Sequence, residues 1–132
     1  MARERPLSPF MIGQVYKPQI TSVLSILHRA TGVALAVGAL VLAAWLLAVA
    51  GSAEAFECFR GFFAAWYGQV ALFAFTGCLA YHLFNGLRHL VWDMGKGYEI
   101  ATVYKSGYAV VALTLLTTAG IWWCAMNTGG AA

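Results

Sequence analysis

The chain has 132 residues, of which 61% are hydrophobic and 10% are charged, and its formal net charge is +3. Its mean hydropathy of +0.74 excludes an ordinary soluble domain and indicates a single membrane domain. The small excess of positive charge is explained by membrane topology and requires no nucleic-acid partner.

Three long runs without Asp, Glu, Lys or Arg predict three transmembrane helices. The runs are Ala30 to Ala53, Gly61 to Leu87 and Ser106 to Ala132, with 24, 27 and 27 residues. Each is longer than the roughly 20 residues that cross the core of a bilayer. We therefore predict an all-α membrane protein whose helices cover about residues 19–50, 61–91 and 106–126.

The segment before the first helix differs from the rest of the chain. Residues 1–18 are polar and contain all three prolines, so we expect an irregular N-terminal arm and no cleavable signal peptide. The domain of residues 19–132 then opens with a helix that is polar along one side. This stripe consists of Ser22, Ser25, Arg29 and Gly32. We expect it to face protein or a cofactor.

Two polar stretches separate the predicted spans. Residues 51–60, with the sequence GSAEAFECFR, predict a short connection, and residues 93–105 predict a second loop. Gly95 and Gly97 should end the helix before that second loop. The three cysteines lack the spacing of a metal or redox motif, so we assign them no chemical role.

The positions of lysine and arginine predict how the chain is oriented. Seven of the eight Lys and Arg residues lie near the N-terminus or around the second loop, and Arg60 alone lies in the first. The N-terminus and the second loop should therefore face the cytoplasm. His82 precedes Arg88 by six residues, which puts it roughly 9 Å deeper in the membrane.

The stretch Tyr81 to Asp93 carries two of the three histidines at the end of an apolar run. On a helix His82, Gly86 and His89 share a face, and Gly86 leaves room beside His82 for a flat group such as a haem. The alternative is a histidine that bonds a neighbouring helix. Six-coordinate b-type haem needs two imidazoles. Because no second histidine is predicted deep in another span, we expect another subunit to supply it.

Four potential cations are predicted at similar depth near the cytoplasmic surface, namely His28, Arg29, Arg88 and His89. Haem propionates are economical partners for such a group. For Arg88 and His89 the preferred interpretation is instead that they extend toward lipid phosphates.

Ser25 and Arg29 lie one turn apart on the first helix. A hydroxyl beside a guanidinium is suited to hold a quinone carbonyl oxygen and to stabilise negative charge there on reduction.

Two motifs in the chain, RPLSP followed by SILHRATG, and YHLFNGLRHLVWD, resemble the cytochrome b membrane-anchor subunit of succinate dehydrogenase, respiratory complex II. The resemblance implies that His82 is an axial ligand of haem b. It also implies that Ser25 and Arg29 line the ubiquinone site and that His28 and Arg29 lie close to the haem propionates.

The same resemblance implies partners and a location. A sister anchor would supply the second haem ligand, while an iron-sulfur subunit and a flavoprotein would pass electrons from succinate to ubiquinone beside this chain. Family members commonly have histidine where Phe10 stands, so no role is carried over there. A start close to the motif, with no transit peptide, favours a bacterial inner membrane.

Three alternatives remain beside this interpretation. The chain could be the anchor of a fumarate reductase working in the reverse direction, or a haem-free structural anchor, against which His82 argues. A small multidrug exporter would need a carboxylate within the membrane, and the predicted spans contain none. Because the chain lacks a nucleotide-binding loop and cluster-ligating cysteines, we do not expect it to be catalytic alone.

Overall fold

The computed structural model describes residues 17–128, which form four α-helices. These are α1 (Ile20–Gly51), α2 (Ala53–Ala64), α3 (Trp66–Asp93) and α4 (Ile100–Thr128). The helices α1, α3 and α4 are long and apolar enough to cross a membrane. Since the described residues contain no strand, the predicted all-α membrane fold is confirmed. Most of the predicted N-terminal arm lies outside the described residues.

The first connection, predicted as a short polar loop, is instead largely the helix α2. The Ser52 hydroxyl accepts a hydrogen bond from the Ala55 backbone N–H at 3.2 Å, which caps the start of α2. Farther along, Arg60 donates from Nε to Glu57 at 2.8 Å, and the two side chains are one turn apart. The polar residues of this stretch therefore support a helix at its ends and on its exposed face.

One residue in an extended backbone conformation separates α2 from α3. Ala65 has φ −69° and ψ 155°, an extended conformation that no helix accommodates. The helix that carries His82 consequently begins at Trp66, five residues after the predicted start at Gly61.

The second connection is shorter than predicted. Gly95 and Gly97 have φ angles of +74° and +81°, in the left-handed region that glycine adopts without steric cost. They end α3 as expected. The helix α4 then begins at Ile100, six residues before the predicted start, because residues 100–105 contain neither glycine nor proline.

A small core joins the three long helices. Leu24 of α1, Tyr81 of α3 and Val110 of α4 are 2%, 7% and 4% exposed, and they pack together. The Tyr81 hydroxyl donates to the backbone carbonyl of Leu24 at 2.6 Å. This contact ties α1 to α3 four residues before His28, so it helps to set how the two helices face each other at the histidines.

Most other large apolar side chains point outward, including Leu47 and Trp123 at 74% and 69% exposure. In a bilayer such a surface is covered by lipid or by other membrane helices, and burial within the chain is not needed to stabilise it. Glycine lets the helices approach in places. A Cβ atom on Gly107 would lie 3.0 Å from Cδ1 of Leu24.

Candidate haem and quinone site

All three histidines of the chain come together between α1 and α3. The rings of His28 and His82 are stacked, with centroids 4.0 Å apart and planes 10° apart. The His89 ring meets His28 edge-on, with centroids 5.0 Å apart and planes at 63°. We call His28, His82 and His89 the histidine cluster. Sequence reasoning placed His28 near the level of His89, and the structure brings it into contact with the deeper His82 as well.

Two glycines border this contact, and the tighter approach is at Gly32. A Cβ atom on Gly32 would lie 3.2 Å from Cε1 of His82, tighter than an ordinary van der Waals contact. A Cβ atom on Gly86 would lie 3.8 Å from Cε1 of His28. The space beside Gly86 that was predicted for a flat group next to His82 therefore lies next to the imidazole of His28.

The two ring nitrogens of His82 have different surroundings. Nδ1 lies 3.1 Å from the Thr31 hydroxyl of α1. Nε2 has no hydrogen-bond partner within residues 17–128 and is not among the buried polar atoms. Sequence reasoning missed Thr31, which follows Arg29 by two positions in the SILHRATG motif. The arrangement leaves one imidazole nitrogen of His82 open at the surface of the helix bundle.

The other predicted site residues of α1 also have polar atoms without a partner among the described residues. His28 Nδ1 is buried without a hydrogen-bond partner. Ser25 is half-buried and Arg29 is exposed, and neither forms a hydrogen bond or ion pair among the described residues. Ser25 and Arg29 lie one turn apart on α1, next to the face that carries His28 and Gly32.

His28 and His82 cannot be the two ligands of one iron in this arrangement. The lone pairs of an imidazole lie in the ring plane, and two nearly parallel planes at a centroid distance of 4.0 Å do not direct their lone pairs to a common point. Within the described residues no three His, Cys, Asp or Glu side chains form a metal-binding group either. Of the His28 and His82 pair, only one imidazole can therefore coordinate a given iron in this arrangement.

His89 is held by its own helix. Asn85, which is fully buried, lies with Nδ2 3.3 Å from Nε2 of His89, and Trp92 packs edge-on against the His89 ring at 5.2 Å. The prediction that His89 extends toward lipid phosphates is therefore wrong. Asn85 was missed by sequence reasoning, although its spacing of four residues from His89 indicates contact on a helix.

Arg88 also lies on α3, but it contacts α4. Its Nε donates to the Ser106 hydroxyl at 2.9 Å, and an Nη nitrogen donates to the Val103 carbonyl at 3.0 Å. The guanidinium also lies 4.1 Å from the ring centroid of Trp92. We call these four residues the arginine cluster. With 7% of Arg88 exposed, the prediction that it extends into the headgroups is wrong.

Comparison with known proteins identifies the family to which the chain belongs. The sequence model described as "Succinate dehydrogenase/Fumarate reductase transmembrane subunit" matches residues 1–121. The chain belongs to this family.

Among its relatives is the succinate dehydrogenase cytochrome b556 subunit of Rickettsia typhi, with 40% identity over 119 residues that cover 90% of this chain and 91% of the relative. The cytochrome b556 subunit of Paracoccus denitrificans is 41% identical over 108 residues, covering 82% of each chain. The mitochondrial cytochrome b560 subunit of Bos taurus is 39% identical over 119 residues, covering 89% of this chain and 69% of the relative.

Membership of the transmembrane subunit family confirms the resemblance drawn from the two sequence motifs. It agrees with the three helices that are long and apolar enough to span a bilayer, and the chain is a multi-pass membrane protein. The similarity to bacterial relatives along most of the chain supports the predicted bacterial inner membrane.

Proposed function

We propose that this chain is the membrane-anchoring cytochrome b subunit of a succinate:ubiquinone oxidoreductase. It binds haem b jointly with a sister anchor and helps to form the ubiquinone-reduction site. The observation that carries the proposal is the state of His82, whose Nδ1 is engaged by Thr31 at 3.1 Å while Nε2 remains open within an apolar helix. Haem bound there would supply one-electron transfer through its iron.

His82 has the properties of an axial ligand. A neutral imidazole can coordinate iron through one nitrogen while the other is held by a hydrogen bond from the protein. The stacked His28 ring and the close approach at Gly32 fix the plane of His82. Since His28 and His82 cannot both coordinate one iron in this geometry, a second imidazole would come from the sister anchor.

His28 and Arg29 are the residues of this chain that would hold the haem propionates. The Nδ1 of His28, which donates when it carries the ring hydrogen, has no partner, and the guanidinium of Arg29 is exposed. Carboxylates form short, charge-assisted hydrogen bonds with such groups. Arg88 does not share this role, because its guanidinium is bonded to α4.

Ser25 and Arg29 hold a carbonyl oxygen of ubiquinone. A quinone carbonyl gains negative charge as it is reduced, and a hydroxyl and a guanidinium aimed at that oxygen stabilise the charge. Both side chains are without a hydrogen bond among the described residues, so binding the quinone does not require them to break an internal contact.

The remaining chemistry belongs to other subunits. Succinate oxidation takes place in a flavoprotein, and an iron-sulfur subunit carries electrons to the quinone site, with the N-terminus of this chain on the cytoplasmic side. The family description also covers fumarate reductase. The relatives named above are called succinate dehydrogenase subunits, which favours succinate oxidation.

The proposal is tested on the purified membrane complex that contains this chain. We expect a b-type haem spectrum on reduction together with succinate-dependent reduction of ubiquinone. An assembled, active complex without a b-type spectrum would instead identify a haem-free anchor. A complex that reduces fumarate from quinol far faster than it oxidises succinate would indicate the reverse direction.

A further inference from the structure

The Thr31 hydroxyl lies within hydrogen-bond distance of three polar atoms. Its Oγ1 is 2.9 Å from the carbonyl oxygen of Leu27, 3.0 Å from that of His28 and 3.1 Å from Nδ1 of His82. A hydroxyl has one hydrogen to donate and two lone pairs that accept. Carbonyl oxygens only accept, so the hydroxyl hydrogen is directed at one or both of them.

Because the Thr31 hydroxyl has a single hydrogen, its contacts determine whether Nδ1 of His82 donates or accepts. With the Thr31 hydrogen committed to the backbone, the contact with His82 forms when Nδ1 carries the hydrogen and donates it to a lone pair of Oγ1. If Nδ1 were the acceptor, the hydroxyl would have to abandon both carbonyls of α1. The arrangement that keeps every contact therefore has the hydrogen of His82 on Nδ1 and the free lone pair on Nε2.

We infer that Thr31 is a positioning residue for the haem ligand, accepting the Nδ1 hydrogen of His82 and so presenting Nε2 to the iron. This inference rests on the proposed function. Neighbours on the same face of α1 assist: His28 stacks on the ring, and Gly32 allows α1 to approach Cε1 of His82. These three residues follow at i, i+3 and i+4, so one face of α1 fixes both the tautomer and the plane of a ligand carried by α3.

An acceptor on the second nitrogen of a coordinating imidazole has a measurable effect. It fixes the ring orientation and increases electron donation by the ligand, and loss of such a partner typically lowers metal affinity about 10- to 100-fold. Stronger donation stabilises ferric over ferrous iron. Removing the acceptor should therefore raise the reduction potential of the haem, and a tenfold loss of ferric preference corresponds to about 59 mV for one electron.

The test uses the complete purified complex with Thr31→Val, which keeps the branched shape and removes the acceptor, and Thr31→Ser, which keeps the hydroxyl. The matched control is Thr114→Val, since the Thr114 hydroxyl also bonds the carbonyl four residues earlier, at 2.8 Å, but lies on α4. We expect a raised haem potential and at least tenfold faster haem loss in Thr31→Val. Thr31→Ser and Thr114→Val should match the parent.

The outcomes separate this inference from the proposed function. Parent-like potential and haem retention in Thr31→Val would overturn the role of Thr31, as would equal changes in Thr31→Ser and Thr31→Val. If Thr31→Val does not assemble, Thr31→Ala is judged by the same two measurements. Unchanged haem ligation in a parallel His82→Tyr complex would overturn the ligand assignment itself, and the role of Thr31 with it.

Discussion

The two polar clusters that involve α3 differ in whether the chain satisfies them itself. In the arginine cluster, Arg88 is buried and bonds the Ser106 hydroxyl and the Val103 carbonyl, with Trp92 against the guanidinium. In the histidine cluster, His28 has a buried nitrogen without a partner and His82 an open one. Polar side chains within a membrane are costly unless they are paired. The comparison therefore supports a structural role for the arginine cluster and the proposed ligand-binding role of the histidine cluster.

The largest expected effect is on haem ligation, when the open nitrogen of the histidine cluster is removed. His82→Tyr in the assembled complex should abolish or alter the axial ligation of the haem, because it removes the imidazole nitrogen that is open at the surface of the helix bundle. His89→Leu should leave ligation intact, since His89 contacts Asn85 and Trp92. Low-temperature visible and paramagnetic resonance spectra measure both variants. Lost ligation in His89→Leu with preserved ligation in His82→Tyr would show that the two roles are exchanged.

A smaller effect is expected at the open polar groups of α1. Ser25→Ala and Arg29→Leu should each lower ubiquinone affinity or turnover by about ten- to a hundredfold, because a hydrogen bond to a charged group is worth about 1.5 to 3 kcal/mol. Succinate oxidation by an artificial dye that accepts electrons upstream should stay at the parent rate. Arg29→Leu should also shift the haem spectrum, whereas Ser25→Ala should not.

The quinone assignment has a clear contrary result. If fully assembled Ser25→Ala and Arg29→Leu complexes both reduce ubiquinone with the parent rate and affinity, the quinone site lies elsewhere. A loss of dye activity in parallel with ubiquinone activity would instead report a defect in assembly of the succinate-oxidising subunits.

The smallest effect on the haem and the quinone site is expected for changes in the arginine cluster. Arg88→Met keeps much of the side-chain volume but removes two hydrogen bonds and the contact with Trp92. Interhelical hydrogen bonds in membranes contribute about 0.6 kcal/mol on average, and a cation over an aromatic ring about 0.5 to 1 kcal/mol. We therefore expect a loss of about 1 to 3 kcal/mol in stability, seen as a lower Tm, with the haem spectrum of the folded complex unchanged.

A matched control sharpens the comparison of the two clusters. Arg60→Gln removes an arginine that pairs with Glu57, and the two side chains are 68% and 55% exposed. Exposed ion pairs contribute little to stability. The Tm of Arg60→Gln should stay at the parent value. A haem spectrum that changes in Arg88→Met as it does in His82→Tyr would contradict the structural role of the arginine cluster.

The membrane spans could be predicted because they are local signals, and His82 could be proposed as a site residue for the same reason. A run of more than 20 uncharged residues and a histidine inside it are visible in one dimension. The pairing of Thr31 with His82 was not predictable, since it depends on how α1 is rotated against α3. The choice of Arg88 between lipid and α4 likewise depends on the position of Ser106. The helix α2 was missed because polarity was interpreted as a loop, although Ser52 and Glu54 are typical of a helix start.

The central claim is that this chain contributes a single axial ligand, through His82, to a haem shared with a sister anchor. The most direct test compares haem spectra of the chain expressed alone and together with the sister anchor. Alone, the chain should show no six-coordinate low-spin haem. The rings of His28 and His82 lie nearly parallel with centroids 4.0 Å apart, so they cannot both coordinate one iron. With the sister anchor, a reduced b-type spectrum should appear. A complete bis-histidine spectrum from the isolated chain would contradict the shared site.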